Sequence, residues 1–369
     1  MRGRSIGVSG CRVGEIVFNT SMTGYQEILS DPSYAEQIVT LTYPHIGNTG
    51  ANTLDHEAPD HHVHAAGLLV RDCPAYPSNW RRETHLPEYL HRHNIVAAAD
   101  LDTRSLTRRL RDRGACNGAL YSEDFDAQQA RAQLDRFPGL LNAELASGVS
   151  TKKTYTWEPR ARDLALFGEP AGQPGLHVVA YDFGVKAGIL DYLSHCGCQL
   201  SVVPARTPAE EVLGLKPDGI FLSNGPGDPH PCDYAIDSIR RFVDERVPLF
   251  GICLGHQLLG LACGAQTVKM RFGHHGANHP VLEMDSGRVL ITSQNHGFCI
   301  DEKSLPACLK ATHRSLFDGS LQGIRHVDAP AFGFQGHPEG HPGPNDANPL
   351  FHQFIRLMQS SGDAETNGH

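Results

Sequence analysis

The chain has 369 residues, 40 % of them hydrophobic, with 32 Lys and Arg against 41 Asp and Glu for a net charge of -9. That length calls for two domains with sizeable cores, and the composition excludes a disordered or fibrous protein. The acidic balance works against phosphate backbones and anionic lipid surfaces, so neither nucleic acid nor membrane is an expected partner.

In chain order, the first half alternates short strands, at 15–18, 37–41, 66–71 and 96–100, with helices such as 103–113. A mixed α/β domain is expected over residues 1–150. The helix at 103–113 carries Arg104, Arg108, Arg109, Arg111 and Arg113. In an acidic protein such a stripe reads as a solvated or partner-facing surface. His56, His61, His62 and His64 resemble a metal cluster, but they fall in a polar loop containing Asp and Pro, and no metal is expected. Residues 151–175 contain Pro159, Pro170 and Pro174 and no sustained apolar period, so a linker is expected there.

Beyond it, strands at 177–181, 200–204, 219–222 and 247–252 alternate with helices at 185–195, 208–215 and 234–243. That alternation predicts βαβ units and a mostly parallel sheet. Strands at 288–293, 309–313, 321–326 and 331–335, joined by short turns, predict an antiparallel extension of the same sheet. The second domain is expected to span 176–360, with 361–369 as a C-terminal tail. The most apolar stretch, 247–264, is interrupted by His256 and Gln257, no apolar leader is evident, and the ten cysteines are scattered. They read as reduced thiols of a cytoplasmic protein.

The chemistry centres on Gly251-Ile252-Cys253-Leu254-Gly255, which follows a strand-like run and opens a helix-like one. This is the context of a nucleophile elbow. The flanking glycines are expected to permit strained dihedrals and close substrate approach, the Leu254 amide to face an oxyanion, and the helix N-terminus to lower the thiol pKa. A thiol nucleophile needs a base and an orienter, and His337-Pro338-Glu339 presents both on one side of an extended segment. Ser223-Asn224-Gly225-Pro226-Gly227-Asp228-Pro229 closes the strand at 219–222 with small residues that let backbone amides reach a ligand at the carboxyl edge of the sheet. Neither a P-loop nor a dinucleotide-binding glycine pattern occurs, so ATP is not expected on this chain.

Together these three motifs resemble class I glutamine amidotransferases. The likeness continues at Phe272-Gly273-His274-His275-Gly276-Ala277-Asn278-His279-Pro280, Gln294-Asn295-His296-Gly297-Phe298 and Ser315-Leu316-Phe317-Asp318-Gly319. With Phe18-Asn19-Thr20-Ser21-Met22-Thr23-Gly24-Tyr25-Gln26 and Thr42-Tyr43-Pro44-His45-Ile46-Gly47-Asn48 in the first half, nearly the whole chain resembles the family of carbamoyl-phosphate synthetase small subunits.

The resemblance implies an α/β fold, with an N-terminal mixed α/β domain followed by a class I glutamine amidotransferase domain. It implies Cys253 as nucleophile with His337 and Glu339 as its partners, and glutamine contacts from Ser33, Gly225, Gly227, Leu254, Gln257, Asn295, Gly297 and Phe298, Ser33 coming from the first domain. It further implies L-glutamine as substrate and no cofactor in this subunit. Ammonia would pass through an internal tunnel to a large subunit that uses ATP, magnesium and bicarbonate to make carbamoyl phosphate. A free-standing cysteine hydrolase of glutamine or glutamyl peptides would use the same elbow without needing the first-half motifs.

Two departures from the family pattern carry expectations. Gly340-His341 replaces the family's usual Ala-Ser after the His-Pro-Glu motif, which should change loop flexibility and local charge. The chain also starts inside what matches the family's first strand region, so the first sheet should lack a strand and expose apolar residues such as Val17.

Overall fold

Two sheets organise the residues that the structure, a computed structural model, describes: 1–160 and 175–366. The rest of the expected linker, 161–174, lies outside the described residues.

The first part of the chain runs β1 (Arg4–Ser5), β2 (Cys11–Asn19), α1 (Tyr25–Ser30), β3 (Gln37–Leu41), β4 (Gly67–Leu69), α2 (Leu86–Arg92), β5 (Val96–Ala99), α3 (Thr103–Arg113), β6 (Cys116–Tyr121), α4 (Ala127–Arg136) and α5 (Ala146–Val149). Its sheet has the order β1-β5-β4-β3-β2-β6. The apolar residues of β3, which is buried along its whole length, lock the centre of this sheet. Val17 is buried, not exposed as expected: it sits opposite Val39 in β3, while β6 pairs antiparallel along the other side of β2. Strand β6, which is not among the elements expected from the sequence, covers this edge. All five arginines of α3 face outward, since only Thr103 and Leu110 of that helix are buried.

The second part adds β7 (Tyr155–Thr156), β8 (His177–Asp182), α6 (Ala187–His195), β9 (Gln199–Pro204), α7 (Ala209–Gly214), β10 (Gly219–Leu222), α8 (Asp233–Asp244), β11 (Leu249–Ile252), α9 (Leu254–Ala262), β12 (Thr267–Glu283), β13 (Val289–Ile300), β14 (Leu309–Ser315), β15 (Leu321–His326), β16 (Ala331–Phe334) and α10 (Pro349–Thr366). Its ten strands are ordered β13-β12-β14-β15-β16-β11-β10-β8-β9-β7. The five from β9 to β16 are mutually parallel and those from β15 to β13 antiparallel, as the alternation predicts. Within the expected linker, Tyr155 and Thr156 form an antiparallel edge strand on β9. Helix α10 carries the chain beyond residue 360, into the expected tail.

Period-two alternation splits the parallel strands between two cores. Val179, Tyr181, Ile220 and Leu222 face α7, α8 and α9, while Val178, Ala180, Phe221 and Phe250 face α6 and α10. Phe250 is fully buried and stacks on Phe332 with ring centroids 4.4 Å apart. Burial of one such ring contributes about 2–3 kcal/mol.

The long strand β12 fastens the two parts together. The Thr20 amide donates to the His275 carbonyl (3.1 Å), the Ala115 amide to the Arg271 carbonyl (2.8 Å), and Lys269 Nζ to Glu15 Oε2 (2.5 Å). The first domain is thereby held against the carboxyl edge of the parallel strands, where β11 ends at the elbow.

Candidate active site

Strand β11 stops at Ile252 and helix α9 starts at Leu254, leaving Cys253 in the turn at φ 53° and ψ -104°. A residue with a Cβ adopts such angles at a cost of about 1–3 kcal/mol, so the surroundings must hold it there. The Cys253 amide donates to the Phe334 carbonyl (2.9 Å), and its carbonyl accepts from the Gln257 amide (3.1 Å). The flanking glycines act differently from the expectation, because neither has a positive φ. A Cβ on Gly255 would meet the Leu222 carbonyl oxygen at 2.2 Å, and one on Gly251 the Gly255 backbone at 2.6 Å. The strain resides in the cysteine; the glycines let the helix and strands cross closely. The Leu254 amide opens α9, where no intrahelical acceptor is available.

The extended segment after β16 brings His337 and Glu339 to Cys253. His337 Nδ1 donates to Glu339 Oε1 at 2.7 Å, and both side chains are buried. Nε2 of His337 has no hydrogen-bond partner among the described residues. The Cys253 thiol nevertheless contributes to the proton affinity of that ring. Burial disfavours the imidazolium, but the Glu339 carboxylate and then Cys253 outweigh it, and the pKa of His337 is raised. Burial likewise opposes ionisation of Glu339, yet Lys186 and His337 keep its carboxyl well below the ordinary range.

Lys186 has no counterpart in the sequence reading. Its buried ammonium donates to Glu339 Oε1 (2.8 Å) and to the carbonyls of Gly340 (2.9 Å) and His341 (2.8 Å), fixing the loop at 339–341. No local pattern marks this lysine, which stands unremarkably at the start of a helix. His341 is drawn inward, with Nδ1 3.8 Å from Glu57 Oε1.

Seven of the eight expected substrate contacts line one cleft beside Cys253: Ser33, Gly225, Gly227, Gln257, Asn295, Gly297 and Phe298. Leu254 does not line it; its side chain is buried in the core, consistent with a role through its amide. A Cβ on Gly225 would lie 2.1 Å from the Phe183 carbonyl oxygen, so only glycine fits there. Gln257 Nε2 donates to the Phe298 carbonyl (2.8 Å) and to Gln335 Oε1 (3.1 Å).

The first domain enters this site through Asp31-Pro32-Ser33. Asn224 Nδ2 donates to Ser33 Oγ (2.9 Å), and Asn295 Nδ2 donates to Asp31 Oδ2 (2.8 Å). His275 Nδ1 donates to Asn295 Oδ1 (2.8 Å), while burial pushes the His275 pKa down to about 4 and keeps the ring neutral. Asp31, Asn224 and His275 are thus further residues of the site that sequence motifs alone did not separate out.

The histidines at 56–64 do not converge. His56 is buried beside His61 and His93, whereas His62 and His64 face Asp60. Among the described residues no group of three or more His, Cys, Asp or Glu side chains is arranged to hold a metal ion, and no helix is long and apolar enough to cross a membrane.

A strained cysteine elbow on a parallel sheet, served by a His–Glu pair, defines a class I glutamine amidotransferase domain, and residues 179–357 match the family model for glutamine amidotransferase class-I. Residues 1–120 match that for the carbamoyl-phosphate synthase small chain, CPSase domain. The chain is 60 % identical over 361 residues to the carbamoyl phosphate synthase small chain of Thioalkalivibrio sulfidiphilus, covering 98 % of this chain and 95 % of that one. It is also 60 % identical to those of Yersinia pseudotuberculosis (97 % and 92 % covered) and Salmonella typhimurium (97 % and 94 %). The chain belongs to the carbamoyl phosphate synthase small chain family.

Proposed function

We propose that this chain hydrolyses L-glutamine at Cys253 and delivers the ammonia to a carbamoyl phosphate synthase large chain. The single observation that carries the reading is the buried Cys253–His337–Glu339 array opening onto a cleft shared by both domains.

The Cys253 thiolate attacks the carboxamide carbon, and an imidazolium at His337 stabilises that thiolate. Backbone amides of Gly225 and Leu254 hold the oxyanion; a donor in such a position contributes about 10²–10³-fold in rate. Collapse of the tetrahedral adduct breaks the C–N bond, with His337 giving its proton to the leaving ammonia. His337, now neutral, takes a proton from water as that water attacks the glutamyl thioester; glutamate leaves and the thiol is restored. Glu339 holds the ring's orientation through Nδ1.

A second cavity borders His337, lined also by Ser21, Glu27, Asp31, Lys186 and Pro342 among others. It supports an exit for ammonia separate from the glutamine cleft, sparing the ammonia protonation in bulk water. ATP and magnesium are assigned to the large chain, which makes carbamoyl phosphate from bicarbonate. The ten cysteines, all free thiols, support a cytoplasmic setting. A free-standing hydrolase is not favoured, since Asp31 and Ser33 of the first domain are built into the site.

The test is Cys253→Ser in the assembled enzyme. Glutamine-dependent carbamoyl phosphate synthesis should fall by about 10³-fold or more, while synthesis from added ammonia persists. Equal loss of both activities would overturn the reading.

A further inference from the structure

We propose that Glu57 is a positioning residue for glutamine hydrolysis, through which the first domain sets the place of Lys186 and of the loop at 339–341. The inference rests on the glutaminase reading above. Glu57 lies between β3 and β4, in no motif, and its side chain is completely buried.

Each of its polar groups has a role at the domain junction. The Glu57 amide donates to Ser30 Oγ (2.9 Å), anchoring the residue to α1. Its carbonyl accepts from the Ala187 amide (2.7 Å), and Oε2 accepts from the Gly188 amide (3.0 Å). These are first-turn amides of α6, whose own N-cap residue offers no side-chain cap. That N-cap residue is Lys186. Glu57 therefore fixes the backbone from which the lysine reaches Glu339, Gly340 and His341.

A second contact is made to the loop, where Glu57 Oε1 lies 3.8 Å from His341 Nδ1. One carboxylate of the first domain thus touches both the helix that carries Lys186 and the loop that Lys186 grips. Among the described residues, the charged and titratable groups facing it include Lys186, Arg160 (4.0 Å), His341 and His56. Its negative charge favours the ammonium form of Lys186, alongside the larger influence of Glu339. Were Glu57 only a domain anchor, its loss would lower stability without altering the chemistry at Cys253.

Glu57→Gln preserves shape and the acceptor for Gly188 while removing charge; Glu57→Ala removes both. Each is prepared as the full chain and assembled with the large chain. With Glu57→Gln, glutamine-dependent kcat should fall about tenfold with KM changed by less than about twofold, and ammonia-dependent synthesis should be unchanged. Glu57→Ala should lose more. On the full chain alone, the pH midpoint of Cys253 alkylation by iodoacetamide, followed by mass spectrometry of its peptide, should move by about half a unit or more in both variants. Unchanged kcat and alkylation profile overturn the proposal, as does a kcat loss that tracks Tm with the alkylation profile unmoved. A wild-type assembly without glutamine-dependent synthesis would refute the glutaminase reading instead, and the alkylation profiles would still decide the case for Glu57.

Discussion

Lys186 Nζ and His337 Nδ1 both donate to one oxygen, Oε1 of Glu339, at 2.8 and 2.7 Å. The other oxygen, Oε2, is buried with no hydrogen-bond partner among the described residues. The Lys186–Glu339 ion pair and the His337–Glu339 pair therefore share a single acceptor oxygen.

Lys186→Met removes the ammonium that, together with His337, compensates the buried Glu339 carboxylate. Removing one partner of a buried pair costs about 3–5 kcal/mol, so a clear drop in Tm is expected. Glutaminase kcat should fall by about tenfold or more with a smaller effect on KM, because the lysine touches the loop at 339–341 and does not line the cleft beside Cys253. Steady-state kinetics of the assembled enzyme, with thermal melts of the free chain, check both.

The pair also makes stability depend on pH in a definite direction. The folded-state pKa of Glu339 is depressed, so its contribution is present above the ordinary carboxylate value of 4.5 and is lost as pH falls further. The folded-state pKa of His337 is raised, so its contribution is full below the ordinary imidazole value of 6.5 and is lost as pH climbs above it. The Tm difference between wild type and His337→Asn should be greatest between those two values and shrink on either side. A difference that is flat across the range would contradict the pairing.

Ser33 reaches the cleft only because the first domain is docked. Ser33→Ala removes one of the acceptors of Asn224 Nδ2, which keeps the Gly184 carbonyl, and should raise the KM for glutamine several-fold with kcat little altered. The stability cost of one such hydrogen bond is about 1 kcal/mol. A glutamine titration and a melting curve distinguish a substrate contact from a structural turn residue.

Gly255→Ala tests the elbow through packing. The added methyl would meet the Leu222 carbonyl oxygen at 2.2 Å, and that oxygen belongs to a central strand that cannot move aside. Destabilisation of about 2–3 kcal/mol and loss of most glutaminase activity are expected, measured by denaturant titration and product assay. Wild-type stability would show that helix and strand separate more easily than their backbone contact implies.

The features legible in the sequence are those that short stretches of chain determine. Strand, cysteine and helix follow one another directly at 249–262, and an i, i+2 spacing already places His337 and Glu339 on one side of an extended segment. The βαβ alternation likewise announces a parallel sheet, since its period changes within each unit. Strand β12 escaped that reading because its register slips between Lys269 and His274 and again between Gly276 and His279, breaking the alternation that marks a strand. Only the tertiary structure decided the roles of Lys186, Asp31, Asn224 and Glu57. Glu339 is 153 residues from Lys186 and Asn295 is 264 residues from Asp31. Pairings at such separations leave no local period or motif behind, because what selects them is the burial of charge where two domains meet, a property of the packed chain.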